Sequence, residues 1–312
     1  MMIDWLKVMA VVMALVGLLC TVRQLGKRYN WPPEWQRKTL HVALGLTALT
    51  FPWLFDQVWP VMAICGMGGV IMLALRCVPA LRRRLGRTLH DVNRTSTGEL
   101  LFALAIALLF ALAHRTPARY VIPLAILTLA DTAAALVGAR WGKATFAVPD
   151  GQKSWAGVAA FGTVTGAITF PLLLGLTARA WPTVLVITLS LTALVTLLEA
   201  LAWHGQDNLL IPVGGYLALS HWLTMGDGFL LYQLAGLGGL VSLGYALRGE
   251  LAPHTALMVL VAFYCLWSGG ALLWLLGLLA FLLARLVLHR QPLSTMNYPF
   301  DAMSTAHWLL VR

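Results

Sequence analysis

Charge is scarce in this chain. Its 312 residues include 12 Asp or Glu and 22 Lys or Arg, 11% together, where a soluble globular domain carries about 25%. That shortfall excludes a soluble fold. Cysteine is rare too. Cys20, Cys65, Cys77 and Cys265 form no C-x-x-C pair, which argues against a disulfide framework or a cysteine metal cluster, so they read as small apolar residues. Strand-like alternation is missing, which excludes a membrane β-barrel. The net charge of +10 does not signal a nucleic-acid partner, because the basic residues sit in connections between apolar runs rather than on one patch. A cleavable leader is not expected either. Leu18-Leu19-Cys20 lacks the small residue that precedes a cut, so the first apolar run reads as a retained span.

Apolar residues fill the space that charge leaves. The chain is 60% hydrophobic with a mean hydropathy of +0.80. Backbone groups in lipid must be satisfied within the segment, so runs near 20 residues read as transmembrane helices. The runs are 3–22, 39–56, 58–75, 99–114, 120–137, 157–176, 183–202, 209–225, 229–247, 253–269 and 270–288. The last two come from one long stretch, split at Ser268-Gly269-Gly270. The fold class is therefore all-α, a polytopic integral membrane protein with about eleven spans, ten being the nearest alternative. With the N-terminus outside, 18 of the 22 Lys and Arg fall in inner loops or the tail. That asymmetry fixes the expected orientation, with the C-terminus inside and a bacterial cytoplasmic membrane as the setting.

The acids then become informative. Glu99, Asp131, Glu199 and Asp207 lie within spans or at span edges, all near the inner face. An ionisable group inside a span is costly and reads as functional. A proton relay would spread such groups through the membrane depth. Gathering them at one face predicts a cation-binding pocket open to the cytoplasm.

The richest stretch runs from Asp131 to Gly157. It carries Asp131, Gly138, Gly142, Lys143, a turn at Pro149-Asp150-Gly151, then Lys153, Ser154 and Gly157. A carboxylate, close backbone approach and two lysines suit a metal-bound polyphosphate. The spacing is not a Walker loop, since three residues rather than four separate the glycines and Ala144 follows Lys143. Gly138 and Gly142 also fit a helix-packing pair. Three further motifs accompany it. Arg37 and His41 share a helix face at i, i+4 around Lys38. Arg94 leads to Thr97 and Glu99 at the start of the fourth span, where Thr97 can cap the helix. Glu199, His204, Asp207, Asn208 and Pro212 form a connection with no Lys or Arg, so topology does not explain it.

RKTLHVALG, RTSTGELLF, the Asp131-to-Gly157 stretch and the Glu199-to-Pro212 connection, in this order, resemble the polyprenol kinase family, which includes dolichol and phytol kinases. The resemblance spans about residues 35–225. It implies a CTP-dependent membrane kinase of a lipid alcohol, related to phosphatidate cytidylyltransferases, with Mg²⁺ or another divalent cation. On that footing Asp131, Lys153, Glu199 and Asp207 are the catalytic candidates, and Asp131, Glu199 and Asp207 the metal ligands. Gly138, Gly142, Lys143, Lys153, Ser154, Gly157 and Asn208 are the nucleotide-binding candidates. Arg37, Lys38, His41, Arg94 and Glu99 are possible additions. The implied partners are a lipid alcohol, a nucleoside triphosphate and membrane lipids. Ala130 stands where the family usually has Gly. Residues 229–312 match no known pattern, which divides the chain into a kinase-like domain, 1–228, and further spans with a tail.

Two other readings stay open. A cytidylyltransferase would use the same nucleotide, but its Asp-Arg-x-Asp ending is absent, since His204-Gly205-Gln206-Asp207-Asn208 holds one Asp. A transporter or non-catalytic partner predicts repeats or broken helices at mid-membrane.

Overall fold

The computed structural model describes residues 2–77, 97–149, 151–226, 228–247 and 253–268. The chain divides into two compact units, Met1–Gly270 and Ala271–Arg312, and the second lies outside the described residues. The last expected span, 270–288, falls there with it.

The described residues of the first unit are helical almost throughout. Its helices are α1 (Met2–Arg28), α2 (Pro33–Leu49), the single turn α3 (Phe51–Leu54), α4 (Val58–Cys77), α5 (Gly98–Ala113) and α6 (Pro117–Ala125). A π-helical turn over Ile126–Ala130 leads into α7 (Asp131–Trp141). After a hairpin come α8 (Trp155–Leu176), α9 (Trp181–Leu201), α10 (Asp207–Trp222), α11 (Phe229–Ala246) and α12 (Pro253–Ser268). A helix covers most of each of the first ten apolar runs. Four of them, Met2–Arg28, Pro117–Trp141, Trp155–Leu176 and Trp181–Leu201, are long and apolar enough to cross a membrane. Several helices begin before the apolar run they contain. Pro33 at the first helical position starts α2 early, so Arg37 and Lys38 stand on the same helix as His41 rather than in the connection before it.

One departure from an all-helical chain matters for the site. Thr145–Val148 and Gly151–Ser154 pair as an antiparallel hairpin, with Phe146 opposite Lys153. The expected turn is there, with Gly151 at φ 148°, a conformation glycine tolerates. Four-residue strands of mixed polarity give no periodic signal, which is why the sequence showed only a turn. Phe146 is buried and packs on Trp155, with ring centroids 4.6 Å apart.

The α6–π–α7 segment forms the centre. Tyr120 to Thr128 are all buried. It packs against α2, α8 and α10, while α9 packs on α8, α10 and α12. Pro123 lies inside α6. It lacks an N–H and its ring opposes the carbonyl four residues back, and the π turn begins three residues later. Such turns concentrate at functional positions, and this one ends at Asp131. Gly45 lets α2 come close to it, because a Cβ there would overlap the Thr128 side chain. Overpacking a core position costs about 1–3 kcal/mol. Gly45→Leu is therefore expected to lower the thermal unfolding midpoint in detergent by several degrees, and an unchanged midpoint would show that α2 is not held there.

The helices after residue 228 dock through a polar node. Gln233 of α11 is fully buried, and its Oε1 accepts from Ser190 of α9 at 3.5 Å and from Tyr264 of α12 at 3.3 Å. Hydrogen bonds of this kind hold helices together in lipid.

Candidate functional site

Helix α2 turns one face to the π turn, and that face carries Lys38, His41 and Gly45 at i, i+3 and i+7. The Lys38 Nζ donates to Asp131 Oδ2 at 2.7 Å, and both side chains are largely buried. His41 Nε2 lies 3.2 Å from the Leu127 carbonyl and 3.7 Å from Asp131 Oδ2. Its ring packs on Phe102 of α5 at 4.5 Å. Arg37, expected to share a face with His41, has its side-chain partner on its own helix, while its charge also acts on Asp131. It makes a bidentate pair with Glu34 at 3.0 and 2.6 Å. The i, i+3 spacing of Lys38 and His41, continued to Gly45, is the signal in the sequence that the i, i+4 reading passed over.

A second ion pair joins the hairpin to α9. Lys153 Nζ donates to Glu199 Oε1 at 2.6 Å and also to the Glu199 backbone carbonyl. That carbonyl belongs to the last turn of α9, where a cation is favoured. Glu199 is buried, and its second oxygen, Oε2, has no hydrogen-bond partner among the described residues. Leaving a buried carboxylate oxygen unsatisfied is costly.

Asp207 opens α10 just after the connection from α9. Its Oδ1 accepts from the Asn208 backbone at 3.0 Å and from the Asn208 amide at 3.5 Å. Burial pushes the Asp207 carboxyl up to about 6, and the negative charge of Asp131 adds to this. The ammonium groups of Lys153 and Lys38 oppose it, while Glu199 reinforces it. Asp207 thus feels all four charged members of the two pairs. Three carboxylates and two lysines, drawn from α2, α7, β2 (Gly151–Ser154), α9 and α10, form one charged centre at one end of the bundle.

The remaining candidates fall into four groups. Thr97 does not cap α5 but donates to the His204 carbonyl at 3.1 Å, which lays the Thr97-Gly98-Glu99 segment on the α9–α10 connection. Gly138, Gly142, Ser154 and Gly157 meet where α7 crosses the start of α8. A Cβ at Gly138 would sit 2.9 Å from Ser154 Oγ and 3.7 Å from the Gly157 Cα. Ser154 Oγ accepts from the Gly157 N–H at 3.1 Å and caps α8. These contacts are those of a helix crossing, and they also bring the N-terminus of α8 next to Lys153. Lys143 is exposed beside the hairpin. Arg94 lies outside the described residues.

The donors suit a hard divalent cation. All are carboxylate oxygens, and Glu199 Oε2 is buried with no partner among the described residues. Among the described residues no three His, Cys, Asp or Glu side chains close on a common point. The arrangement therefore fits an open site, in which one or two carboxylates hold a cation whose other ligands come from phosphate oxygens and water.

Fold and site together define a helical membrane protein with a buried carboxylate–lysine centre at one end of its bundle. Over 224 residues the chain is 31% identical to the phytol kinase of Synechocystis sp. (strain ATCC 27184 / PCC 6803 / Kazusa), a match that covers 70% of this chain and 91% of that protein. The chain belongs to the phytol and polyprenol kinase family. No family profile matches it, and no solved structure matches it.

Proposed function

We propose that the chain is a kinase of a lipid alcohol, with CTP as donor, working at the cytoplasmic face of the membrane. The observation that carries this reading is the charged centre itself, where two lysine–carboxylate pairs and Asp207, from five elements, act on one another electrostatically within an apolar bundle. Phosphoryl transfer needs positioning and neutralisation of developing charge more than covalent chemistry. The family relative named above, a phytol kinase, supports an isoprenoid-like alcohol as substrate. Its apolar tail would lie against lipid-facing helices, with the hydroxyl at headgroup level.

The residues divide the work. Asp131, with Glu199 or Asp207 as a second ligand, would hold Mg²⁺, which when bound neutralises phosphate charge and orients the transferred group. Lys153, next to the N-terminus of α8, places a full charge where free N–H groups already favour an anion. The Gly138–Gly157 crossing brings backbone to that same place. The other of Glu199 and Asp207 takes the proton from the attacking hydroxyl, and burial suits Asp207 to the role by keeping its affinity for a proton high.

The deciding assay incubates purified protein with each labelled nucleoside triphosphate, a panel of lipid alcohols and phosphatidate. A phosphorylated alcohol formed with CTP supports the kinase. A CDP-lipid from phosphatidate supports a cytidylyltransferase, and neither product supports a transporter or non-catalytic partner.

The topology belongs to the same proposal: eleven spans, N-terminus outside, C-terminus inside. The 18 of 22 basic residues on one side motivate it. Reporter fusions after Arg84 and after Asp150 are both expected to read cytoplasmic. An extracytoplasmic signal at either position would remove the centre from the face where CTP is found.

A further inference from the structure

We propose that Lys38 is an exchangeable counter-ion, occupying the place of the divalent cation on Asp131 until the cation and nucleotide arrive. This rests on the kinase reading above, in which Asp131 is a metal ligand.

The geometry gives Lys38 this part and no obvious other. Its ammonium lies 2.7 Å from Asp131 Oδ2. A buried carboxylate at the inner end of a span needs a positive partner at all times. Lys38 supplies one from a helix that is independently fixed. Gly45 seats α2 against Thr128, and His41 lies against the Leu127 carbonyl. The lysine stem is long and flexible, while the α2 backbone is held two turns away at Gly45. The ammonium can therefore leave Oδ2 without moving the helix. A lysine is a compact point charge that suits phosphate oxygens. Once a dication sits on Asp131, the displaced ammonium has the nucleotide phosphates as its nearest new partner. Charge in the pocket then stays balanced in both states.

The second ion pair repeats the pattern. Lys153 covers one oxygen of Glu199, and Oε2 has no partner among the described residues. Lys153 was expected from the sequence to meet phosphate, and Lys38 stands in the same relation to its own carboxylate. The difference is that no residue neighbouring Lys38 in sequence resembles a phosphate-binding loop, so only the fold shows it.

A purely structural salt bridge and an exchangeable counter-ion make opposite predictions for cation binding. If the ammonium competes with the cation, removing it strengthens binding. If it only holds α2 to α7, removing it loosens the site and weakens binding. The experiment measures Mn²⁺ binding to full-length, nucleotide-free protein in detergent at pH 8, by the loss of the free-ion paramagnetic resonance signal. Wild type is compared with Lys38→Met, Lys38→Arg and the double variant Lys38→Met/Asp131→Asn. Lys38→Met is expected to bind Mn²⁺ about tenfold more tightly than wild type, and the double variant is expected to lose that gain. Lys38→Arg keeps the charge and grips the carboxylate with a fork, so it is expected to bind no more tightly than wild type. Unchanged or weaker binding in Lys38→Met overturns the proposal. So does a gain that survives Asp131→Asn. If Lys38→Met does not fold, Lys38→Gln takes its place, with the same gain expected and the same unchanged or weaker binding overturning the proposal. Failure of the kinase reading looks different. Wild-type protein would then phosphorylate no alcohol with any nucleotide, whatever the Mn²⁺ affinities show.

Discussion

Asp131→Asn is expected to reduce lipid-alcohol phosphorylation to below about one-hundredth of wild type. The change keeps size and removes the charge a hard cation needs. Losing one preorganised electrostatic contact to a transition state typically costs about a hundred- to a thousandfold. The structure adds a consequence that the sequence did not contain. Lys38 is buried against Asp131, so the variant leaves an ammonium without its counter-charge. Breaking one side of a buried pair costs about 3–5 kcal/mol of stability. The single variant should therefore be both inactive and less stable, and inactivity alone would be ambiguous. Lys38→Met/Asp131→Asn separates the two effects. Removing both charges is often neutral for stability, so the double variant should regain most of the lost unfolding midpoint and stay inactive. Product formation is read by labelled phosphate in the lipid phase, and folding by thermal unfolding in the same detergent. Near-normal turnover in either variant would make Asp131 a buried packing residue.

The helices were legible because lipid leaves the backbone one solution. Where a run is apolar for about 20 residues, a helix follows from physics alone. The site was legible in part for a related reason. A carboxylate in such a run stands out against its surroundings, which made Asp131 and Glu199 conspicuous. What could not be read was pairing across the fold. Nothing in Arg37-Lys38-Thr39-Leu40-His41 says which of its three cationic or titratable residues faces inward. That choice depends on where Gly45 meets Thr128, a contact between helices more than 80 positions apart. The hairpin was hidden for a different reason. Its strands are short, and its register is set by burial of the single residue Phe146. The hairpin is nevertheless what carries Lys153 to Glu199.

Lys153→Gln is expected to raise the KM for CTP, lower kcat, or both, with kcat/KM falling about ten- to a hundredfold. A hydrogen bond to a charged group contributes roughly 1.5–3 kcal/mol, which corresponds to that range. In the structure Lys153 has two partners, the Glu199 carboxylate and the Glu199 backbone carbonyl. Both lie beside the N-terminus of α8, which Ser154 caps. The lysine therefore has two possible duties, and substitutions distinguish them. If Lys153 only neutralises Glu199, then Lys153→Gln leaves a carboxylate with one unsatisfied oxygen already and now no counter-charge. The protein would lose stability, and Lys153→Arg, which keeps the charge, would restore stability and turnover together. If Lys153 also meets phosphate, Lys153→Arg would recover stability but only part of the turnover. Lys153→Gln/Glu199→Gln recovers stability alone in either case, because Glu199 is itself a cation ligand or base in the proposed mechanism, so Lys153→Arg is the deciding variant. It keeps the charge, but a planar fork does not replace a point charge on phosphate, so it should restore stability fully and kcat/KM only in part. Steady-state kinetics with CTP varied at saturating lipid reads the first quantity, and thermal unfolding reads the second. Unchanged kinetics in Lys153→Gln would reduce the hairpin to a topological anchor. Full recovery of turnover in Lys153→Arg would confine Lys153 to its ion pair and move the phosphate contact to Lys38 and the backbone of α8.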